Sequence, residues 1–330
     1  MTKNIAIIGA GLTGLTLAES MKDYATISLF EKARGVAGRM STRYADEYRF
    51  DHGAQFFTAR SKGFKHFLQP FIEQRVVQEW TPKVMTLEHG KKYYKRDWFE
   101  PHYSGSPNMN SLCRAIATSH NVNLRTQIER LSQEAHGWYL IDSENLSHGP
   151  FDWVISTAPS PQAANLMPSE FSGHALIANT KMQGCYSLML GFNHDLALNW
   201  QAAKVKNSPI EWISVNSSKP DRNPDYSLLV QTTNQWSEAH LEDEQGQVRE
   251  VLLTELEKLL GRDMHDAAYQ SLHRWRYANT LIDQNAEKGD GFFIDEKLQL
   301  GVCGDWCLQG QVESAFLSAH YLAESLKSKL

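Results

Sequence analysis

The chain has 330 residues, of which 42% are hydrophobic and 22% charged, and its formal net charge is -5. This length and apolar content are enough for a large core and more than one folding unit. The negative net charge gives no electrostatic basis for binding nucleic acid or an anionic membrane. Because we find no apolar run of about 18 residues or more and no leader segment, we expect a soluble, cytoplasmic protein.

The N-terminal segment carries a glycine-rich turn between a strand and a helix. Residues 5–8 form an apolar strand, and Gly9 makes the tight turn after it. Gly11 lets the backbone approach a pyrophosphate at the helix N-terminus, and Gly14 lets the helix pack closely on the strand. Glu31, at the end of the second strand, is placed to accept hydrogen bonds from an unphosphorylated ribose. The segment therefore predicts binding of an ADP-containing dinucleotide.

Motifs after this unit favour FAD over a nicotinamide cofactor. The basic loop 32–40 can fold back so that Arg39 neutralises the pyrophosphate. Residues 53–57 give a turn of small residues beside an amide and two aromatic rings, which suits contact with a flat ring. Asp305 is placed to bind a ribityl hydroxyl, and the N-terminus of a helix over about 312–326 favours negative charge on a reduced flavin. The predicted FAD contacts are Gly9, Gly11, Leu12, Thr13, Gly14, Glu31, Lys32, Gly38, Arg39, Met40, Gly53, Ala54, Gln55, Phe56, Ile128, Ala158, Gly304, Asp305 and Val312.

Taken together, the motifs resemble the bacterial renalase-like branch of the flavin amine-oxidase group, over essentially the whole chain. The resemblance is carried by residues 9–14, 31–33, 38–40, 53–56, 103–109, 273–278 and 304–306. It implies the family FAD contacts at Thr13, Arg39, Gln55 and Phe56. It also implies an oxidase of misreduced dihydronicotinamide dinucleotides, with oxygen reduced to hydrogen peroxide.

Two positions depart from the family pattern. Ala37 stands where the glycine-arginine loop usually has another glycine, and Asn108 stands where many bacterial relatives have a glycine before Met. We expect both to alter loop geometry without abolishing FAD binding, since Ala37 adds only one methyl group.

The order of elements predicts an α/β fold with two domains that are each interrupted in sequence. A Rossmann-like FAD-binding domain takes 1–59, 106–161 and 274–330, and a smaller substrate domain with a mixed sheet takes 60–105 and 162–273. This is the two-domain architecture of amine oxidases and of p-hydroxybenzoate-hydroxylase-like proteins.

Two segments of the substrate domain have distinct patterns. A helix from about Asp243 to Leu260 is expected to pack one apolar face in the core, formed by Val248, Val251, Leu252, Leu256 and Leu259. The polar stretch 216–224 is predicted to be a surface loop.

The four cysteines are too few for a disulfide framework in a chain of this length. Cys303 and Cys307 lack a second pair that would complete a zinc site. We therefore predict reduced thiols, no metal site and non-covalent FAD, with Cys307 a packed residue rather than a flavin attachment point.

The substrate wall should contain aromatic and cationic side chains that stack on a planar ring and meet phosphate. The candidates are Tyr186, Trp212, Trp236, His240, Arg274, Trp275, Arg276 and Trp306. No acid–base set follows from spacing, so catalysis is assigned to flavin-centred hydride transfer without a named catalytic residue. Three functions stay open: the dinucleotide oxidase, an amine oxidase acting on a small amine, and a non-catalytic flavin-binding module. Arg274 and Arg276 favour the dinucleotide, because a cationic amine prefers an uncharged aromatic cage.

Overall fold

The computed structural model describes residues 2–281, 289–308 and 310–330. It divides into two compact units. Unit 1 comprises Met1–Arg39, Cys113–Met182 and Thr280–Leu330, and unit 2 comprises Met40–Leu112 and Gln183–Asn279. Within the described ranges, no helix has the length and apolar character needed to cross a membrane.

The secondary structure alternates short strands with eight α-helices in the described part of the chain. The strands are β1 (Lys3–Ile8), β2 (Ala25–Glu31), β3 (Arg43–Ala45), β4 (Tyr48–Phe50), β5 (Val77–Glu79), β6 (Val84–Glu88), β7 (Tyr94–Arg96), β8 (Tyr103–Gly105), β9 (Asn121–Leu124), β10 (Ile128–Glu134), β11 (Gly137–Asp142), β12 (Ser147–Phe151), β13 (Trp153–Ser156), β14 (Met182–Phe192), β15 (Ala202–Lys206), β16 (Ile210–Val215), β17 (Tyr226–Thr232), β18 (Tyr269–Thr280), β19 (Phe292–Asp295) and β20 (Leu300–Cys303). The helices are α1 (Leu12–Met21), α2 (Lys62–Glu73), α3 (Ser111–Ala117), α4 (Ser160–Leu166), α5 (His174–Asn179), α6 (Asn234–Ala239), α7 (Gln245–Leu260) and α8 (Val312–Lys327).

Unit 1 is built on a six-stranded sheet in the order β19-β20-β13-β1-β2-β9. Its strands run parallel except β19, which is antiparallel to β20. Residues 5–8 of β1 are all buried, as expected for a central parallel strand. Helices α1 and α8 pack against each other, and β10, β11 and β12 form a separate antiparallel sheet. The predicted Rossmann-like fold is confirmed.

Unit 2 is built on a mixed seven-stranded sheet in the order β18-β14-β17-β16-β15-β6-β7. Side chains alternate between its two faces. One face, here called the helix face, includes Tyr186, Ile213 and Val230 and shares a buried core with α7. The other, here called the segment face, includes Met189 and Trp212 and packs against the segment 48–57. The predicted mixed sheet of the second domain is confirmed.

The compact units and the predicted domains divide the chain at different places. Residues 40–59 and 106–112 belong to unit 2, because the β3–β4 hairpin and the segment after it pack on the seven-stranded sheet. Residues 162–182 belong to unit 1, where α4 and α5 contribute to its core. The assignment of FAD binding to one predicted domain and substrate binding to the other stays a prediction. Residues 282–288 and 309 of the predicted range 274–330 lie outside the described residues.

The apolar face of α7 differs from the predicted face at one position. Val251 is 48% exposed, whereas Leu253 is buried. The buried positions are Val248, Leu252, Leu253, Leu256 and Leu259. At 100° per residue, Val251 lies well away from the centre of this stripe, so the helix turns it toward solvent.

We expect Leu252→Ala to destabilise the protein by about 2–5 kcal/mol, because it leaves a cavity in the core of unit 2. Val251→Ala on the adjacent position should change stability by no more than about 0.5 kcal/mol. Urea unfolding of the two variants measures the difference, and equal effects would show that α7 packs with a different face.

Candidate functional site

The glycine turn in unit 1 has the geometry that a bound pyrophosphate requires. Gly9 has a φ of +106°, and an added Cβ would lie 2.5 Å from Thr157 Oγ1. A Cβ on Gly14 would lie 2.0 Å from the carbonyl oxygen of Gly9, so a side chain there would separate α1 from the turn. A Cβ on Gly11 would meet nothing within 4 Å. Gly11 is also the N-cap of α1, so this open space lies beside the N-terminus of the helix, which attracts anions.

Glu31 holds this turn in place. Its Oε2 accepts a hydrogen bond from the Ala10 backbone N–H at 2.9 Å, and its Oε1 accepts one from the Ala33 N–H at 2.8 Å. The side chain therefore links the glycine turn to the start of the basic loop. Each oxygen keeps a second lone pair, and the ribose contact expected from the sequence stays a prediction.

The basic loop folds back onto the glycine turn within unit 1. The Ala37 N–H donates to the Ala10 carbonyl at 2.9 Å, and an added Cβ on Gly38 would lie 3.5 Å from Gly11 Cα. Arg39 forms a two-point ion pair with Asp305, with Nη1 to Oδ2 at 2.9 Å. The structure thus brings together Gly11, Arg39 and Asp305, three residues predicted to contact FAD.

Ala37 adopts a backbone conformation that favours glycine. Its φ is +101°, and the residue is buried. Alanine in place of the family's glycine therefore puts a side chain at a strained backbone conformation. The loop still reaches the glycine turn, since the Ala37 N–H bonds the Ala10 carbonyl.

The other predicted cofactor residues of unit 1 lie near the ends of its strands and helices. Leu12 and Thr13 begin α1, and Val312 begins α8. The Ala158 carbonyl accepts a hydrogen bond from Trp306 Nε1 at 2.9 Å. Lys32 Nζ donates to Gln162 at 3.3 Å, Ile128 begins β10, and the Gly304 N–H donates to Ser318 Oγ at 2.9 Å.

In unit 2, the predicted ring-contacting segment 53–56 is held by side chains of the segment face. Gln55 Oε1 accepts hydrogen bonds from Ser214 Oγ at 2.7 Å and from Lys219 Nζ at 3.3 Å. The Gly53 carbonyl accepts a bond from Gln231 at 2.8 Å. Gln55 is therefore buried, and its side-chain oxygen is already hydrogen-bonded within the protein. These bonds hold the backbone of this segment in place.

A buried ion cluster centred on Asp51 lies directly before this segment. Asp51 Oδ2 is 3.1 Å from Lys219 Nζ and 2.6 Å from Arg222 Nη2, and its Oδ1 accepts bonds from Thr42 Oγ1 and the Met109 N–H. The side chains of the three charged residues are 0–1% exposed. The prediction that 216–224 is a surface loop is wrong in part: Asp221, Asn223 and Pro224 are exposed, but the Asp51 carboxylate draws Lys219 and Arg222 into the interior.

The cluster leaves positive charge in the interior of unit 2. Two cations surround one carboxylate, so one positive charge is not balanced within the trio. Lys219 and Arg222 hold the pKa of Asp51 well below its ordinary value against the opposing effect of burial. Burial lowers the pKa of Lys219 to about 8, and Arg222 contributes to the lowering.

Aromatic rings surround Phe56 on the segment face. Its ring centroid lies 4.7 Å from His102, 5.1 Å from Trp98 and 5.5 Å from Trp212. The indole N–H groups of Trp98 and Trp212 are buried and have no hydrogen-bond partner among the described residues. A planar ligand with a carbonyl oxygen matches this combination of ring surface and unused donors.

Two histidines lie beside Trp275 at the other end of the segment. The His52 ring stacks on Trp275 at 5.2 Å and meets His273 edge-on at 4.8 Å. Trp275 Nε1 donates to the His52 carbonyl at 2.8 Å. Burial lowers the pKa of His52 to about 3, with contributions from the neighbouring His273 and then Arg43. Burial and Arg43 lower the pKa of His273 to about 4, so both imidazoles are neutral near pH 7.

The structure separates the residues predicted to line the substrate cavity. Trp212 and Trp275 lie on the segment face, near residues 51–56. The helix-face side holds Tyr186, Trp236, His240, Arg274 and Arg276. Trp306 lies in the core of unit 1. Within unit 2, the candidates therefore do not form one wall.

Three contacts explain this separation. Tyr186 is fully buried, and its hydroxyl donates to the His240 carbonyl at 2.8 Å. Arg274 donates to the Leu241 carbonyl, and Arg276 pairs with Glu242 at 2.9 Å. Because neighbouring residues of β18 point to opposite faces, the two arginines cannot share a face with Trp275.

One group of possible metal ligands exists among the described residues, although the sequence predicted none. Ligand atoms of Glu257, Asp263 and His265 lie within 4.8 Å of one another. His265 Nδ1 already forms a 2.8 Å hydrogen bond with Glu257. We assign these three residues no part in the candidate site.

Comparison with known proteins identifies the family. The model of the flavin-containing amine oxidoreductases matches residues 80–326, and that of the NAD(P)-binding Rossmann-like domain matches residues 7–71. The chain belongs to the flavin-containing amine oxidoreductase family. The resemblance found in the sequence is thereby confirmed, and a flavin cofactor is the family's common feature.

Relatives of this family member include renalase from Mus musculus, which is 23% identical over 308 residues, covering 86% of this chain and 87% of that protein. A structure from Exiguobacterium sp. 255-15, provisionally assigned as a protoporphyrinogen oxidase, superposes with a TM-score of 0.81 at 12% identity and covers 100% of both chains. Wild-type putrescine oxidase bound to putrescine superposes with a TM-score of 0.72 at 10% identity, covering 99% of each chain. These structural likenesses show the fold.

We expect Gly11→Ala and Gly14→Ala to have different effects. Gly11→Ala should leave the melting temperature of the apoprotein unchanged but weaken flavin binding, because its methyl group projects into open space where a pyrophosphate would lie. Gly14→Ala should lower the melting temperature of the apoprotein, because its Cβ meets the Gly9 carbonyl. Thermal unfolding and flavin titration of both variants distinguish the two roles; full flavin affinity in Gly11→Ala would contradict the assignment.

We expect Asp51→Asn to destabilise the protein by about 3–5 kcal/mol, because it leaves two buried cations without their carboxylate. Asp221→Asn, which removes an exposed partner of Arg75, serves as the control and should have a much smaller effect. Because folding lowers the pKa of Asp51 below its ordinary value of 3.8, its contribution is present above that pH and is lost as the pH falls. Urea unfolding at several pH values tests this, and equal destabilisation by the two substitutions would show that the cluster does not support the fold.

Proposed function

We propose that this protein is an oxidase of misreduced dihydronicotinamide dinucleotides that uses non-covalently bound FAD and transfers the electrons to oxygen, giving hydrogen peroxide. When bound, the flavin accepts hydride from the dihydronicotinamide ring. In unit 1, Gly11 and the N-terminus of α1 would hold the pyrophosphate, with Arg39 neutralising it and Asp305 binding a ribityl hydroxyl. In unit 2, we expect the backbone of residues 53–56 to contact the flavin ring.

The positive charge around residues 51–56 is the observation that carries this proposal. Asp51 is the buried carboxylate of this region, and Lys219 and Arg222 already neutralise it. An ammonium ion would meet unbalanced positive charge there, whereas a dinucleotide brings two negative phosphates. Charge therefore favours the dinucleotide over an amine.

The aromatic surroundings of Phe56 support the same substrate class. A dihydronicotinamide ring is planar and carries a carboxamide oxygen. Trp98 and Trp212 offer two buried indole donors that have no other partner in the described part of the chain. Stacking would bind the ring, and a donated hydrogen bond to the carboxamide would set its orientation.

An amine oxidase is the alternative, and one observation favours it. The cluster of Phe56, Trp98 and Trp212 is an uncharged aromatic surface of the kind that binds cationic amines. However, the Lys219 ammonium already lies 5.5 Å from the ring centroid of the adjacent Trp80. A second cation nearby would be repelled, so we place this alternative second.

The environment of Cys307 supports non-covalent attachment of FAD. Attack by sulfur on a flavin requires the thiolate. Burial, with the neighbouring Cys303, raises the pKa of the Cys307 thiol well above its ordinary value. The thiol is therefore poorly prepared to form a thioether.

A cytoplasmic location of the protein stays a prediction.

We expect anaerobic mixing of the holoprotein with reduced nicotinamide dinucleotides carrying hydride at a non-4-position to bleach the flavin within seconds. Small primary and secondary amines should leave it oxidised. Stopped-flow absorbance with both panels, followed by measurement of hydrogen peroxide after oxygen is admitted, tests the proposal. Bleaching by an amine alone would establish the alternative, and a flavin that no donor reduces would indicate a non-catalytic module.

The pH dependence of bleaching separates the two enzymes further. His52 and His273 have pKa values of about 3 and about 4, so both stay neutral above about pH 5.5. The rate with a dinucleotide should therefore be flat between about pH 5.5 and 7. With an amine it should rise about tenfold per pH unit, because only the neutral amine donates a hydride and alkylammonium pKa values lie near 10.

A further inference from the structure

Arg43 faces the same row of residues as the paired histidines. It lies opposite Phe50 in the β3–β4 hairpin, and paired residues on neighbouring strands project to the same side. Phe50 stacks on Tyr269 at 5.4 Å. Because residues two apart on β18 share a face, Tyr269 belongs to the row that continues to His273 and Trp275. Arg43 is therefore directed at the segment face.

The polar groups at this place have few partners among the described residues. Among the described residues, the Arg43 guanidinium has no hydrogen bond or ion pair, although it is partly buried. His52 is 6% exposed, and its Nδ1 has no hydrogen-bond partner there. Its Nε2 has only a 3.5 Å contact with Ser41 Oγ. By contrast, Lys219 and Arg222 use their donors on Asp51 and nearby oxygens.

We propose that Arg43, His52 and His273 form a subsite for a phosphate group of the dinucleotide substrate. This inference rests on the proposed function. A guanidinium presents a fork of N–H donors that matches phosphate oxygens, and a neutral imidazole donates one further N–H. In this proposal Arg43 of β3, His52 after β4 and His273 of β18 take the phosphate role that the sequence assigned to Arg274 and Arg276.

Two nucleotides contain the phosphate chemistry that this subsite recognises, namely the substrate and FAD itself. We assign the subsite to the substrate, because the glycine turn and Arg39 already provide a pyrophosphate cradle for FAD within unit 1. A variant at Arg43 should therefore alter substrate binding while leaving FAD binding unchanged.

The test compares Arg43→Gln with Arg49→Gln and wild-type holoprotein. Arg49 lies on the other strand and opposite face of the hairpin, where its Nη1 bonds the Asp46 and Tyr48 carbonyls, so it controls for the loss of one arginine. Anaerobic flavin bleaching is measured with the misreduced dinucleotide and with the matching dihydronicotinamide riboside, which has no phosphate. FAD affinity is measured by fluorescence quenching on the apoproteins.

We expect Arg43→Gln to raise the half-saturating dinucleotide concentration about tenfold or more, since hydrogen bonds to charged groups are among the strongest in proteins. The limiting rate and the half-saturating riboside concentration should stay within about twofold of wild type, because phosphate is bound equally in the ground and transition states. Arg49→Gln should match wild type with both donors.

Four results would overturn the inference. In the first, the Arg43→Gln variant saturates as wild type does, and in the second its half-saturating concentrations rise equally for the dinucleotide and the riboside. Either result shows that Arg43 binds no substrate phosphate, while the proposed function stands. A fall in FAD affinity with unchanged dinucleotide saturation assigns the subsite to the cofactor. Wild-type flavin that neither donor bleaches removes the proposed function, and the inference falls with it.

Discussion

The ion cluster at Asp51 is the interaction on which the rest of the candidate site depends. This carboxylate accepts bonds from Lys219, Arg222, Thr42 and the Met109 backbone. It thereby joins the β3–β4 hairpin region, the loop before α3 and the loop after β16, all within unit 2. A buried ion pair of this kind is costly to desolvate, so it is weak evidence for stability gained over an apolar core. Its consequence here is positional, because it fixes the segment 51–56 and leaves positive charge beside it.

Side chains alternate between the two faces of the seven-stranded sheet, so the two faces have different compositions. The helix face is an apolar core with α7, and its cations, such as Arg276 paired with Glu242, lie away from the segment. The segment face carries aromatic rings and neutral imidazoles, together with two indole donors, of Trp98 and Trp212, that have no partner in the described part of the chain. In the proposed function, the helix face serves stability and the segment face binds the ligand, since a polar group without a partner is tolerated where a ligand supplies one.

The sequence predicts what is determined locally. The glycine turn, the acid at Glu31 and the arginine at Arg39 lie within one short stretch whose backbone geometry follows from glycine spacing, and the structure brings them together as expected. Lys219 pairs with Asp51, which lies 168 positions away in the sequence. The residues next to Lys219 are polar, so on their own they predict a solvent-exposed loop. Arg274 and Trp275 are adjacent in sequence, and only the packing of the sheet on residues 48–57 decides which of them lies beside this segment. The sequence does not show which face of the sheet residues 48–57 cover.

The most direct test of this account is equilibrium binding of an anion and a cation to the oxidised holoprotein, without turnover. ADP-ribose carries the phosphates of the dinucleotide without its reactive ring, and putrescine is a small diamine. If unbalanced positive charge around residues 51–56 selects the ligand, ADP-ribose should perturb the flavin absorbance at micromolar to low millimolar concentrations, with binding weakened by salt, and putrescine should not. Saturable binding of putrescine with no response to ADP-ribose would contradict the account.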